Sequence, residues 1–126
     1  MHKSRLSTLV IDCQTSDLES ATEFWSQALG YPAETAPAGG SDNYSKLLAP
    51  PEEVQVLLQE VDHQSRVHID IETDDIEAEV QRLENLGARR LGYVKTWCVM
   101  EAPTGHRFCV VRPQRTGLER DGHSWV

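Results

Sequence analysis

Polar and apolar residues alternate along this chain and then recur at helical spacing, and the whole pattern is written twice. Residues 10–19, VIDCQTSDLE, and residues 68–77, HIDIETDDIE, are near copies. Ile11/Ile69, Asp12/Asp70, Thr15/Thr73, Asp17/Asp75 and Glu19/Glu77 match outright, while Cys13/Ile71 and Leu18/Ile76 keep apolar character. Matching segments about half a chain apart signal an internal duplication. Each copy opens as a strand, residues 8–14 and 67–72, because side chains of like character fall on every second position. Ile11 and Cys13, then Ile69 and Ile71, share one face. Val10, Asp12 and Gln14, then His68, Asp70 and Glu72, share the other.

A helix follows each strand. Ser16-Asp17-Leu18-Glu19 and Asp74-Asp75-Ile76-Glu77 place a capping side chain three residues before a Glu, the pattern of a capping box. Leu18, Ala21, Trp25, Ala28 and Leu29 recur at helical spacing, as do Ile76, Val80, Leu83 and Leu86, and Gly30 and Gly87 suit left-handed C-terminal caps. Strand candidates come next. In the first half they are Tyr44–Ala49 and Val54–Val61, after a loop-rich stretch at 31–44 containing Pro32, Pro37 and Gly39-Gly40. In the second half they are Arg89–Tyr93, Thr96–Glu101 and Arg107–Arg112, the last two joined through Ala102-Pro103-Thr104-Gly105-His106.

The order is therefore β-α-β-β-β twice, in one α+β domain spanning 1–126. Module 1 covers about 7–61, module 2 about 66–113, and a polar tail covers 114–126. One such module cannot cover both faces of its own sheet. The expectation is a curved, mostly antiparallel sheet with helices on the outer face and a cleft inside. The Ile/Cys faces then pack under the helices. Asp12, Gln14, His68, Asp70 and Glu72 line the cleft.

Charge narrows the partners. A formal net charge of −8 argues against a nucleic-acid binder, which needs a basic face, and suits a small-molecule ligand. No run is long and apolar enough to span a membrane, and Asp12 interrupts the N-terminal apolar run before it resembles a signal peptide. Cys13, Cys98 and Cys109 are odd in number and sit in apolar runs, which points to a reducing, cytoplasmic setting.

Asp12 and Asp70 are mates under the duplication, so both should approach the cleft centre. Two close carboxylates drive one pKa upward, which suits acid-base chemistry. Their plainer role is to accept hydrogen bonds from backbone or from basic side chains. Trp97, Val99 and Glu101 share one face of a late strand, where Trp97 could wall a ring-bearing ligand. Trp25 reads as core, and Glu52-Glu53 as a solvated turn. Trp125 is a poor residue to leave in water; it folds over the cleft mouth, onto a second subunit, or onto its own domain. Neither a Ser-His-Asp order nor a phosphate-binding glycine loop can be read.

The run T-S-D-L-E…F-W…A-L-G-Y, its partner H-I-D-I-E-T-D-D-I-E…L-G-A, and the closing E-A-P-T-G-H-R-F-C-V-V resemble the vicinal oxygen chelate superfamily over residues 7–113. This superfamily includes glyoxalase I, bleomycin- and fosfomycin-resistance proteins and extradiol dioxygenases. The resemblance implies a small-molecule cleft and a homodimer.

In metal-dependent members it also implies a divalent ion held by His or Gln on the first strand, His on its duplicate, and a late-strand Glu in each half. Carried across, His68 matches the second-half His, Val10 stands where the first-half donor would be, and Cys109 stands at the last Glu position. Gln59 is the nearest polar candidate for the remaining position, near Val56 and Leu57. The His/Val mismatch thus suggests a metal site largely dismantled. No cofactor and no tightly bound divalent metal are expected; an ion, if one binds, uses His68, with Asp70, Glu72 or Cys109 as improvised companions.

Two functions follow from the resemblance. One is a glyoxalase-like lyase or isomerase whose catalytic groups are His68, Asp12 and Asp70, with Gln14, Gln59, Glu72, Trp97, Glu101 and Cys109 binding the ligand. The other is a ligand-sequestering protein of the bleomycin-resistance type, for which the acidic charge and Trp97 suit a cationic aromatic molecule. Asp12→Asn or Asp70→Asn should weaken ligand binding without unfolding the domain.

Overall fold

The computed structural model describes residues 1–34 and 43–126. Its elements run β1 (His2–Gln14), α1 (Leu18–Leu29), β2 (Tyr44–Leu47), β3 (Gln55–Val61) and β4 (Arg66–Thr73). They continue with α2 (Ile76–Asn85), β5 (Arg89–Val94), β6 (Trp97–Glu101), β7 (Arg107–Val111), α3 (Leu118–Asp121) and β8 (His123–Trp125). The fold is α+β, and the chain divides into two compact units: Leu9–Val67, and Met1–Thr8 together with His68–Val126.

In the first-half unit the strands lie in the order β2-β3-β1. β2 and β3 are antiparallel, with Tyr44 opposite Gln59 and Leu47 opposite Val56. Cys13, Leu47, Val56 and Leu58 form the core, and Ile11, Leu18, Ala21, Trp25 and Tyr31 pack on it. The Ile11/Cys13 face thus lies under α1, as the alternation predicts. Leu29 is 42% exposed, so the apolar stripe of α1 leaves the core in its last turn. Of the strand expected next, a single bridge between Ala33 and Leu47 is present among the described residues. Pro32 beside it has no N–H to offer a ladder. Pro37 and Gly39-Gly40 of the expected loop lie outside the described residues.

The second-half unit carries the fuller repeat, ordered β4-β7-β6-β5. β4 and β7 are parallel, while β7–β6 and β6–β5 are antiparallel. Helix α2 covers one face: Val80 and Leu83 join Cys98, Met100, Phe108 and Val110 in the core, with Ile71 and Ile76 packed against them. Leu86 is left 67% exposed.

Both helix starts differ by one residue from the predicted capping boxes. Asp17 and Asp75, not Ser16 and Asp74, are the caps, accepting from the amides of Ser20 and Ala78 at 3.1 Å. An Asp side chain reaches the third helical amide without a reciprocal Glu, so Glu19 and Glu77 are released for other uses. Asp74 instead accepts from the Lys3 amide at 2.8 Å. Gly30 and Gly87 do take positive φ, +79° and +109°, a region that disfavours side chains with a Cβ.

Both chain ends carry more regular structure than the alternation predicts. Residues 2–7 extend β1 beyond the predicted 8–14, and the Lys3 carbonyl accepts from the Thr73 hydroxyl at 2.7 Å. The tail, expected only to be polar, forms α3 and β8, and β8 pairs antiparallel with β1, His2 opposite Trp125. Trp125 packs on its own unit. Its indole N–H donates to Ser4 Oγ at 2.8 Å, and the Arg82 guanidinium stacks over its ring at 3.9 Å.

Arg82 also grips Glu79, a fully buried helix residue, through Nε and Nη2 at 2.8 and 2.7 Å, and His2 Nε2 lies 2.7 Å from the same carboxylate. Burial pushes the Glu79 pKa up, but hydrogen bonds from Arg82, His2 and Ser4 outweigh it and leave the group below its ordinary 4.5. The sign is that of a depressed carboxylate. Its contribution to stability is whole above the unfolded value and disappears as pH falls through the folded one. Urea midpoints measured from pH 7 to pH 3 should therefore fall more steeply for the native protein than for Glu79→Gln. Parallel curves would mean that this carboxylate does not drive acid unfolding.

No helix among the described residues is long and apolar enough to cross a membrane.

Candidate functional site

Alternation along β4 sends Ile71 toward the α2 core and His68 and Asp70 to the opposite face of the sheet. The same logic on β7 buries Phe108 and Val110 and turns Cys109 away from the helix. Because β4 and β7 are parallel neighbours in register, Asp70 stands directly beside Cys109. The ligand-capable atoms of His68, Asp70 and Cys109 all lie within 4.8 Å of one another. His68 Nε2 is 3.7 Å from Asp70 Oδ1, ion-pair range though longer than a hydrogen bond, and both side chains are 15% exposed.

Beyond Cys109 the same face continues across β6. Val99 is the register partner of Cys109, and Trp97, half-buried, lies two residues earlier on the same side. Arg107 faces Glu101 at its far end. Glu101 is held by Arg89 Nη2 at 2.6 Å and approached by Arg107 Nε at 3.6 Å. The Arg89 hydrogen bond is the largest influence holding its carboxyl below the ordinary range. The unit thus offers an imidazole, a carboxylate and a thiol close together, with an aromatic ring and an ion-paired carboxylate on the neighbouring strand.

Glu72, expected to line the ligand site, is fully buried and engaged by the fold itself. One oxygen accepts from Arg5 Nε at 2.7 Å; the other accepts from the amides of Gln114 and Arg115 at 2.7 and 2.9 Å. Burial raises its pKa, but these hydrogen bonds more than offset that and hold the carboxyl below its usual value. A carboxylate with both oxygens taken by a fixed guanidinium and two backbone amides is a structural anchor for the chain after β7.

The remaining predicted residues lie in the first-half unit. Asp12 is 2% exposed, with Arg66 Nε 3.7 Å from its Oδ2. The twin aspartates thus have different basic neighbours in their own units, Arg66 for Asp12 and His68 for Asp70. Arg66 is a residue the sequence reading missed; it also donates from Nη2 to His63 Nε2 at 3.3 Å.

Gln14 and Gln59 do come together. Both line a broad groove of about 810 Å³, alongside Thr15, Asn43, Asp62 and His63. Gln14 Nε2 donates to the Asp62 carbonyl at 3.1 Å and Gln59 Nε2 to the Tyr44 hydroxyl at 3.1 Å, so both amides have oriented dipoles at the groove wall.

The metal set that the superfamily resemblance implies does not fit these residues. Val10 has no donor atom and is 1% exposed in a packed position. The late-strand carboxylate position is a thiol, Cys109, and at the first-half position Val56 is a core residue and Leu57 beside it has no donor atom. An ion bound by oxygen and imidazole donors from both halves finds neither the count nor the donor type it needs.

The sequence profile of the glyoxalase-like domain matches residues 8–111. Among solved structures, the chain is similar to methylmalonyl-CoA epimerase from Mycobacterium tuberculosis, at 16% identity and a TM-score of 0.62, covering 86% of this chain and 87% of that one. It is also similar to a glyoxalase/bleomycin resistance protein/dioxygenase superfamily member from Vibrio splendidus 12B01, at 20% identity and a TM-score of 0.52, covering 85% and 98%. A third likeness is to homoprotocatechuate 2,3-dioxygenase from Brevibacterium fuscum, at 16% identity and a TM-score of 0.59; it covers 90% of this chain but only 38% of that one. No curated protein matches the sequence. At these identities the structures speak for the fold, and the profile, spanning most of the chain, speaks for the family. The chain belongs to the glyoxalase-like domain family.

Proposed function

We propose that this glyoxalase-like protein binds a small oxygenated or thiol-conjugated molecule and moves a proton on it, as a lyase or isomerase that does not use the superfamily's metal set. The observation that carries this reading is the meeting of His68, Asp70 and Cys109 on the sheet face turned away from α2. An imidazole is the side chain best suited to take and return a proton near neutral pH. Asp70 Oδ1, 3.7 Å from Nε2, places a carboxylate within ion-pair range of that ring. Trp97 and Val99 supply apolar surface for the part of the ligand that does not react. Glu101, fixed by Arg89, keeps a negative charge at the end of that face.

The test begins with a thermal-shift screen of small 2-hydroxy and 2-oxo acids, hemithioacetals and acyl thioesters. Compounds that raise the melting temperature are then incubated with the protein in D2O and followed by proton NMR. Loss of a carbon-bound proton signal at a rate dependent on enzyme concentration is the expected result. A compound that binds tightly while every C–H signal persists would overturn the catalytic reading in favour of ligand sequestration.

A further inference from the structure

Within the second-half unit, the sheet face that carries His68 and Asp70 also carries a trough, set out by strand register. Asp70 pairs with Cys109, Cys109 with Val99, and Val99 with Gly92, so these positions form one row across β4, β7, β6 and β5. The row lies on the side away from α2, because the strand neighbours Ile71, Val110 and Cys98 face the core.

Two residues along β6 in either direction, a second row flanks the first. Trp97 and its partner Val94 make an apolar flank. Arg107, Glu101 and Arg89, paired in turn across β7, β6 and β5, make a charged one. The floor between the flanks loses bulk outward, from carboxylate through thiol and valine to Gly92, where open space stands in place of a side chain. β5 is the last strand in the order, so the row ends at the sheet edge. At about 4.8 Å per strand, Asp70 and Gly92 stand about 14 Å apart, more than a small free acid spans.

We propose that the molecule on which His68 acts is elongated: a small acyl head in thioester linkage to a linear, anionic tail. The tail lies over Cys109, Val99 and Gly92 and leaves the protein across β5. The head rests on the proton-transfer reading above; the place of the tail stands on the sheet face alone. Methylene groups of the tail suit the Trp97/Val94 flank. An anion suits the other flank, where two guanidinium groups face one carboxylate. Arg89 Nη2 is 2.6 Å and Arg107 Nε 3.6 Å from Glu101, which leaves a surplus positive charge and further N–H donors on that side. A small free acid at His68 would leave Val99, Trp97 and Gly92 uncovered, and a conjugate covers all three.

The experiment uses the full chain and three propionyl thioesters, of ethanethiol, methyl 8-mercaptooctanoate and 8-mercaptooctanoic acid. Calorimetric titration at low ionic strength gives their dissociation constants. The long ester should bind at least about tenfold more tightly than the ethyl compound. The long acid should bind at least about threefold more tightly than its methyl ester. Val99→Phe raises the floor and Trp97→Ala removes a flank, so each should lower the long-to-short ratio at least about threefold. Ratios are taken within each variant, so a partial loss of fold, which weakens both ligands, does not imitate the effect. Gly92 is left in place because it takes φ +153° at the bulge in β5, where a side chain would strain the backbone. The double variant Arg89→Gln/Arg107→Gln should abolish the preference for acid over ester.

Equal binding of long and short tails, a ratio unchanged in both Val99→Phe and Trp97→Ala, or no binding of any of the three compounds would each overturn the trough. Acid and ester bound alike by the native protein would overturn the anionic tail. Exchange at the propionyl C2 is followed in D2O on the same samples by proton NMR. Binding with these preferences and no exchange overturns the proton-transfer reading and leaves the tail site standing. Exchange with no preference for a tail does the reverse.

Discussion

Glu72→Ala is expected to lower the unfolding free energy by about 3–5 kcal/mol, the range found when one partner of a buried ion pair is removed. The carboxylate is fully buried and accepts from Arg5 and from two consecutive backbone amides, of Gln114 and Arg115. Truncating it leaves the Arg5 guanidinium, itself 9% exposed, short of its nearest counter-charge, with Asp121 at 3.9 Å as the remaining one. It also leaves two amides without their acceptor at the point where the chain departs from β7 toward α3 and β8. Both losses are desolvation penalties, which exceed the net worth of the hydrogen bonds themselves.

Urea denaturation with a fixed m-value measures the effect. The double variant Arg5→Met/Glu72→Leu should recover part of the loss, because a matched apolar pair carries no stranded charge. A single-variant loss below about 1 kcal/mol would show that the anchor is dispensable.

The duplication made much of this fold legible. Ile11/Cys13 and Ile71 lie under their helices as a strand's period of two predicts, whereas Ile69, expected on the same face as Ile71, is 38% exposed and outside the core. Trp25 packs where its helical spacing puts it. What alternation could not show is which face-mates are consumed by the fold. Gln14 and Glu72 hold equivalent places in the repeat, yet one lines a groove and the other is sealed under Arg5 and the tail. The difference arises from residues far away in sequence, Arg5 and 114–115, which no local pattern links to position 72.

The site trio was half visible in the same way. His68 and Asp70 share a face by spacing alone, but Cys109 joins them only through the parallel pairing of β4 with β7. That register could have been inferred by laying the last strand of the second repeat beside its first, an arrangement open to a β-α-β-β-β unit. Arg66 gave no signal, being an exposed basic residue at a strand start, until the fold put it beside Asp12. The buried Glu79 was equally hidden: on a helical wheel it reads as one more acidic residue, and its burial is explained by Arg82 together with His2, 77 positions away, and Ser4.

The second large effect concerns the proton-transfer groups. On a substrate found by the deuterium-exchange screen, His68→Ala should slow exchange by about 10²–10⁴-fold, the usual contribution of a positioned general base. The fold should survive, since His68 lies on the face away from the α2 core and belongs to neither apolar cluster. Asp70→Asn should slow exchange by a smaller factor, because it leaves the imidazole in place and keeps the shape of the side chain 3.7 Å away.

A melting curve recorded on each variant separates loss of chemistry from loss of fold. Exchange in Asp70→Asn equal to that of the native protein would remove this carboxylate from the reaction. Full exchange in His68→Ala, with an unchanged melting curve, would remove the imidazole from the reaction altogether.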